Sequence, residues 1–191
     1  MLVGVEDWLD FIKSGLKEKI IQDTKDMLIL NEADLQCSIS RHLRYFHTKE
    51  YADTSWHVHN EFRQRRKGSK ETTYPDVQIF RKNQLMISME LKHYFGRPFS
   101  REKLIEDLEK LSTRGRQSPT VKSVLFFTCD LPLNEQTQAI ENLTESAADL
   151  FAPMQSFPEI VCINSYQEEG LDYKWQNKYR TSIEEWSQYG G

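Results

Sequence analysis

This sequence contains no long apolar run, although hydrophobic residues make up 38% of its 191 positions. A transmembrane helix needs about 20 consecutive apolar residues, so we expect no membrane span. The first residues, MLVGVEDWLDFIK, have no basic start and reach acids at once. A secretory signal begins with the opposite charge pattern. We therefore expect a cytoplasmic protein with one main domain.

Paired cysteines and repeats are also missing. Cys37, Cys129 and Cys162 are odd in number and far apart, and no two of them form a CxxC pair. This spacing argues against a zinc knuckle or a disulfide framework and favours three reduced thiols. Aromatic residues, in contrast, are plentiful: ten Phe, eight Tyr and four Trp can fill a sizeable core.

Charge is distributed unevenly along the chain, although the net charge is only −4. Residues 41–122 hold eighteen basic and ten acidic residues, whereas 1–40 and 123–191 are both net acidic. A basic zone of this kind attracts polyanions whatever the charge of the whole chain. The alternative is that the acidic flanks fold over the basic middle and neutralise it.

The apolar pattern predicts a mixed α/β sheet sandwiched by helices. The first predicted helix, 5–21, carries the stripe Trp8, Ile12, Leu16 and Ile20. The other predicted elements are a helix from Asn31 to His47, strands at 55–63 and within 74–94 with a turn at 81–84, a helix from Ser100 to about Ser112, a strand at 121–129, a helix from Asn134 to Leu143 or beyond, and a strand at 159–164. We expect a helical extension (1–30), a core (31–165) and an aromatic-rich tail packed on the core (166–191).

Two acids and a lysine fall inside the strands predicted for 74–94. Because side chains alternate between strand faces, Glu90 and Lys92 share one face, roughly 7 Å apart. A hairpin with its turn at 81–84 brings the start of the first strand beside the end of the second, so we expect Asp76 to approach Glu90. The competing interpretation is that all three are ordinary solvent-facing strand residues.

Such a cluster suits metal-assisted hydrolysis. Two carboxylates in one site repel each other unless a cation joins them. Mg²⁺ prefers oxygen ligands and keeps several waters, one of which can attack a phosphodiester. A neighbouring lysine can orient that water, help deprotonate it, or neutralise the charged phosphate.

Pro75-Asp76 followed by Glu90-Leu91-Lys92 resembles the signature of the PD-(D/E)XK nuclease superfamily. The order of elements from Asn31 to Asn164 is similar to the core of that superfamily. The resemblance implies a restriction-endonuclease-like three-layer fold, an αβββαβ core with a mixed central sheet flanked by helices. It also implies that Asp76, Glu90 and the Leu91 carbonyl bind Mg²⁺, for which Mn²⁺ can substitute, and that Lys92 assists the water.

The function implied by this resemblance is a metal-dependent nuclease, in the first place a DNA endonuclease of restriction, defence or repair type. DNA is favoured over RNA as the partner, and a homodimer would allow two strands to be cut. Two alternatives stay open. One is an inactive nuclease-like fold that binds nucleic acid or protein, and the other is an unrelated α/β interaction protein in which the motif is accidental.

Glu32 is a fourth candidate for the site. It falls on the apolar stripe of the second predicted helix, which continues with Leu35, so it should point at the sheet. Members of the resembled superfamily often carry an acid on the first core helix that joins the metal shell. The alternative is a first-turn acid that only stabilises the helix dipole.

Histidines and basic residues complete the candidates. His57 and His59 lie on one strand face with Glu61, which is either another metal-shell acid or a partner of the basic loop. The pair would suit zinc, but no third ligand is evident, so we interpret both as polar-face residues. The basic residues that would grip phosphates, with a solvated surface as the alternative, are Arg63, Arg65, Arg66, Lys67, Lys70, Arg97, Arg101 and Lys103, followed at a distance by Arg114 and Arg116.

Overall fold

A computed structural model describes residues 4–50, 55–60, 75–152 and 157–166 as an α/β fold with one five-stranded sheet. The helices are α1 (Val5–Phe11), a π-helical turn (Ile12–Leu16), α2 (Lys17–Lys25), α3 (Glu32–Glu50), α4 (Arg101–Gln117) and α5 (Leu133–Phe151). The strands are β1 (Trp56–Asn60), β2 (Val77–Arg81), β3 (Gln84–His93), β4 (Lys122–Cys129) and β5 (Glu159–Asn164).

The sheet is mixed, as the order of elements predicted. Its strands follow chain order, β1-β2-β3-β4-β5. The pairs β1–β2 and β2–β3 are antiparallel, whereas β3–β4 and β4–β5 are parallel and are joined through α4 and α5. Strand β3 therefore lies in the centre, with an antiparallel neighbour on one side and a parallel neighbour on the other.

Hydrophobic cores lie on both faces of the sheet, which is consistent with a three-layer arrangement. On one face, α1 to α3 contribute Trp8, Leu35 and Ile39, which pack with Met89, Leu91, Val124 and Phe126 of the strands. On the other face, α4 and α5 contribute Leu104, Leu108 and Leu143, which pack with Leu125 and Phe127. Alternate residues of β4 thus serve opposite cores, which explains its continuous apolar sequence.

The hairpin between β2 and β3 determines where the charged residues lie. Lys82 and Asn83 form its two-residue turn, both with positive φ (47° and 66°), as in a type I′ turn. The register shifts between Ile79 and Phe80, a β-bulge. Beyond the bulge Val77 pairs with Met89. Continued by one position, this register sets Asp76, the residue before Val77, opposite Glu90.

Side-chain caps begin two helices where the sequence predicts them. The Asn31 side-chain oxygen accepts a hydrogen bond from the Asp34 amide (3.0 Å), and α3 follows at once. The Ser100 hydroxyl accepts from the Lys103 amide (3.4 Å) at the start of α4. Helix α4 continues to Gln117, so the prediction that it ends near Ser112 is wrong.

The first helical region contains a π turn that the sequence analysis did not predict. Trp8, Ile12, Leu16 and Ile20 are all fully buried. A spacing of four residues advances by about 40° more than one turn of a regular α-helix, so such a stripe drifts around the helix. The π turn at Ile12–Leu16 takes up this excess because its hydrogen bonds span five residues instead of four.

Several predictions fall outside the described residues: Glu61, the basic loop with Arg63, Arg65, Arg66, Lys67 and Lys70, and the tail beyond Tyr166. Cys37, Cys129 and Cys162 are all free cysteines. Over the parts of the chain that the structure describes, none of the helices has the length and apolar character needed to cross a bilayer.

Candidate functional site

Glu90 and Lys92 project from the central strand β3 towards α4. The Glu90 carboxylate contacts the Arg114 guanidinium at 2.5 Å, and the Lys92 ammonium lies 3.2 Å from the Asp107 carboxylate. Glu90 is only 3% exposed. The interpretation of Glu90 as an ordinary solvent-facing strand residue is therefore wrong, because water has almost no access to it.

Asp76 is held in place by contacts from two other elements. Its side-chain oxygen accepts a hydrogen bond from the Leu91 amide on β3 (2.8 Å). Its own carbonyl accepts one from the Gln36 side chain on α3 (2.5 Å). These bonds fix the carboxylate beside the Glu90-Leu91-Lys92 segment, where the hairpin was predicted to bring it.

Lys92 is surrounded by acceptors. Its ammonium lies 3.1 Å from the carbonyl of Leu91, 3.4 Å from Glu32 and 3.2 Å from Asp107. Burial by itself lowers the pKa of Lys92, but the carboxylates of Asp107 and Glu32, followed by Asp76, raise it above its usual value. The lysine is therefore a positively charged hydrogen-bond donor at neutral pH.

Glu32 points at the site, as its position on the helix stripe predicted. It is the first residue of α3, and its carboxylate meets the Lys92 ammonium at 3.4 Å. A first-turn acid that acted only on the helix dipole would not make this contact. Its place in a metal shell stays a prediction.

Burial and like charge make Glu90 an unusual acid. Desolvation, together with the nearby carboxylate of Asp76, raises the pKa of Glu90 to about 7, although the Arg114 guanidinium acts in the opposite direction. Near neutral pH the carboxyl is thus close to its titration midpoint. Two carboxylates that repel each other in this way form a site that a cation would stabilise.

This raised pKa predicts how stability depends on pH in the metal-free protein. Folded Glu90 keeps its proton up to about pH 7, whereas the unfolded chain loses it near 4.5. Ionisation therefore opposes folding, and the contribution of Glu90 to stability falls by about 3 kcal/mol as pH rises through this window. Glu90→Gln cannot titrate and should avoid this loss.

Urea unfolding of wild type and Glu90→Gln in EDTA, between pH 4.5 and 8, measures this effect. The variant should gain about 3 kcal/mol relative to wild type across the range. His93 also makes stability depend on pH, but in the opposite direction. Burial, and to a smaller extent Arg97, lowers the pKa of His93 to about 4. Both proteins contain His93, so its contribution cancels in the difference between them. A difference that does not change with pH would contradict a buried Glu90 with a raised pKa.

Two site residues of α4 were not predicted to lie here. The sequence analysis does not include Asp107 among the site residues, and it predicts Arg114 only as a distant nucleic-acid contact. Asp107 is 1% exposed and also binds Lys110 at 2.6 Å. A signal was present: Asp107 and Arg114 lie two helical turns apart on the stripe that contains Leu111, and charged residues on a buried stripe point at the sheet.

Replacing Asp107 should destabilise the protein, because it leaves the half-buried Lys92 with one carboxylate fewer. Removing one partner from a fully buried ion pair costs about 3–5 kcal/mol. Lys92 and Lys110 retain some access to water, so we expect about 2 kcal/mol for Asp107→Asn. Urea unfolding measures it beside Glu106→Gln, an exposed neighbour on α4. Equal stability of the two variants would show that Asp107 is not needed to balance these lysines.

The donors at the site suit a hard divalent cation. Asp76 and Glu90 supply carboxylate oxygens and Leu91 supplies a carbonyl, which are the ligand types that Mg²⁺ prefers. Within the described ranges, however, no cluster of three or more His, Cys, Asp or Glu side chains is arranged as a ready metal site. A metal would therefore use two acids, the carbonyl and water, and it would meet Glu90 already paired with Arg114.

The remaining candidates lie apart from this cluster. His57 and His59 are exposed on the edge strand β1. Arg97, Arg101 and Lys103 are exposed around the start of α4, and the contacts described for the carboxylates do not involve them. Arg116 is exposed and donates to the Leu150 carbonyl at 3.3 Å, away from the site.

Comparison of the sequence with models of known protein families and with curated proteins gave no match.

Proposed function

We propose that the protein is a metal-dependent nuclease with a restriction-endonuclease-like fold, the function that the resemblance to the PD-(D/E)XK superfamily implies. The observation that carries this proposal is the meeting of Asp76, Glu90 and Lys92 on one hairpin. The β-bulge aligns the two acids, and the lysine follows two residues later on the same face. The contact between Glu32 and Lys92 supports the proposal independently.

Each residue would have a distinct task. Asp76, Glu90 and the Leu91 carbonyl would hold Mg²⁺. When bound, the ion supplies an activated water and offsets the negative charge that develops on the phosphate. Lys92 is protonated and would donate a hydrogen bond to a phosphate oxygen or to the attacking water. Glu32 and Asp107 would keep its ammonium directed into the site.

The partner in this proposal is nucleic acid, with DNA favoured over RNA. The basic middle of the chain supports this choice, because concentrated positive charge attracts a polyanion. Exposed Arg97, Arg101 and Lys103 would contact phosphates beside the site. Cleavage of both strands of a duplex would use a homodimer.

A panel of substrates tests this function. Supercoiled plasmid, linear duplex, single-stranded DNA and single-stranded RNA are incubated with Mg²⁺ or Mn²⁺, and separately with EDTA. We expect metal-dependent cleavage of a DNA substrate, with nicked or linearised plasmid as the mark of an endonuclease. Cleavage of RNA alone would change the substrate, and the lack of any cleavage would remove the proposed activity.

An inactive nuclease-like module that binds nucleic acid or protein is the second candidate. The observation that favours it is the ion pair between Glu90 and Arg114, because a positive charge already satisfies this carboxylate without a metal. Such a module would retain nucleic-acid binding in EDTA. Metal binding separates the two candidates, since only the nuclease requires it.

A further inference from the structure

Arg114 belongs to the same cluster as the proposed metal ligands. It lies in the last turn of α4, and its guanidinium reaches back to Glu90 on the central strand at 2.5 Å. The two side chains are 16% and 5% exposed, so this contact forms out of bulk water. Charge-assisted hydrogen bonds are strong in such surroundings.

We infer that Arg114 is the resident counter-cation of Glu90, and that a divalent metal and this guanidinium compete for the same carboxylate. The inference rests on the proposed function, because it takes Glu90 as a metal ligand. Arg114 thereby sets the metal affinity of the site. Metal loading then requires the guanidinium to leave Glu90, which frees its donors for another anion such as a phosphate oxygen.

The physical reason is the repulsion between two cations at one carboxylate. A dication beside Glu90 is repelled by Arg114, and this repulsion is strong because the low-dielectric surroundings screen it poorly. Loss of Arg114 removes this repulsion, so a dication should bind more tightly beside Glu90.

Arg114→Gln is the direct test, because glutamine keeps a polar side chain and removes the charge. Calorimetric titration with Mn²⁺ at pH 8 should show affinity at least about tenfold tighter than wild type. Arg116→Gln is the matched control, since Arg116 is on the same helix and contacts only the Leu150 carbonyl among the contacts described for it. Its Mn²⁺ affinity should equal that of wild type.

A second measurement uses the wild-type protein, in case the variant does not fold. In NMR spectra of ¹⁵N-labelled protein, the guanidinium protons of ion-paired Arg114 should be protected from exchange with water. Their signals are assigned by their absence from the spectrum of Arg114→Lys. Addition of Mg²⁺ should abolish that protection. Signals that stay protected when Mg²⁺ is bound would overturn the competition.

The outcomes also separate this inference from the proposed nuclease. Equal or weaker Mn²⁺ affinity in a folded Arg114→Gln protein overturns the inference, even if the wild type cleaves DNA. Tighter Mn²⁺ binding by the variant supports the inference, even if no substrate is cleaved. If neither protein binds Mn²⁺, both the competition and the metal site are wrong.

Discussion

Lys92→Met should slow metal-dependent cleavage by about 10²- to 10³-fold, the usual cost of losing one charged donor at a reacting phosphate or oxyanion. The lysine projects from the central strand next to the two acids, and the surrounding carboxylates hold it protonated. Methionine keeps most of its length and volume without the charge. Because Lys92 is a cation beside the proposed ligands and not a ligand itself, Mn²⁺ should bind at least as tightly as in wild type while the rate constant falls.

Lys110→Met provides the matched control for this prediction. Lys110 is the other cation bound to Asp107, at 2.6 Å, so both variants remove one positive charge from the same buried carboxylate. The loss of stability that comes from the Asp107 ion pair is therefore common to the two variants. A loss of rate should appear only when Lys92 is replaced. Similar rates for the two variants would show that Lys92 acts in the fold and not in the reaction.

Asp76→Asn should strongly weaken metal binding without disturbing the hairpin. The asparagine oxygen can still accept the hydrogen bond from the Leu91 amide that now ends on the Asp76 carboxylate. What it loses is the negative charge that faces the cation. Residues that only support a metal ligand alter affinity by about 10- to 100-fold, so loss of a direct ligand should weaken Mn²⁺ binding by at least about 100-fold.

Calorimetry with Mn²⁺ measures this loss, with Asp26→Asn as the control. Asp26 is exposed, lies beyond the end of α2 and likewise accepts a side-chain hydrogen bond, from Gln22 at 3.0 Å. The control removes the same charge from a remote position. An equal effect of both substitutions would indicate that Mn²⁺ responds to the overall charge of the protein and not to this site.

Asp76 and Glu90 illustrate how far the sequence could predict this site. Alternation along the strand placed Glu90 and Lys92 on one face, and the polar segment at 81–84 predicted the hairpin. The bulge between Ile79 and Phe80 was not predictable from these rules. Without it the pairing would slip by one residue, and Asp76 would face Met89 instead of Glu90, on the opposite surface of the sheet.

The residues that α4 contributes to the site could not be predicted from the sequence, for a different reason. Its stripe of Leu104, Leu108 and Leu111 predicted which face is buried. Which strand that face would meet, and at what height, depends on tertiary packing between α4 and β3. Asp107 and Arg114 could therefore be recognised as charges on a buried stripe, but not as partners of Lys92 and Glu90.

The raised pKa of Glu90 could not be predicted from the sequence for the same reason. Desolvation is the largest cause of the raised pKa. The extent of desolvation depends on how completely β4, α4 and the rest of the core on the α4–α5 face exclude water from β3. A sequence identifies an acid inside a strand, but the energetic cost of burying that acid is a property of the packed molecule.

The most direct test of the proposed nuclease site is the rate of plasmid and single-strand cleavage as a function of Mg²⁺ concentration. It is measured for wild type and for Asp76→Asn purified in the same way. For wild type we expect a rate that rises with Mg²⁺, saturates, and vanishes in EDTA. For Asp76→Asn we expect no cleavage. Equal rates for the two proteins, or no cleavage at any Mg²⁺ concentration, would contradict a metal-dependent nuclease site built on Asp76, Glu90 and Lys92.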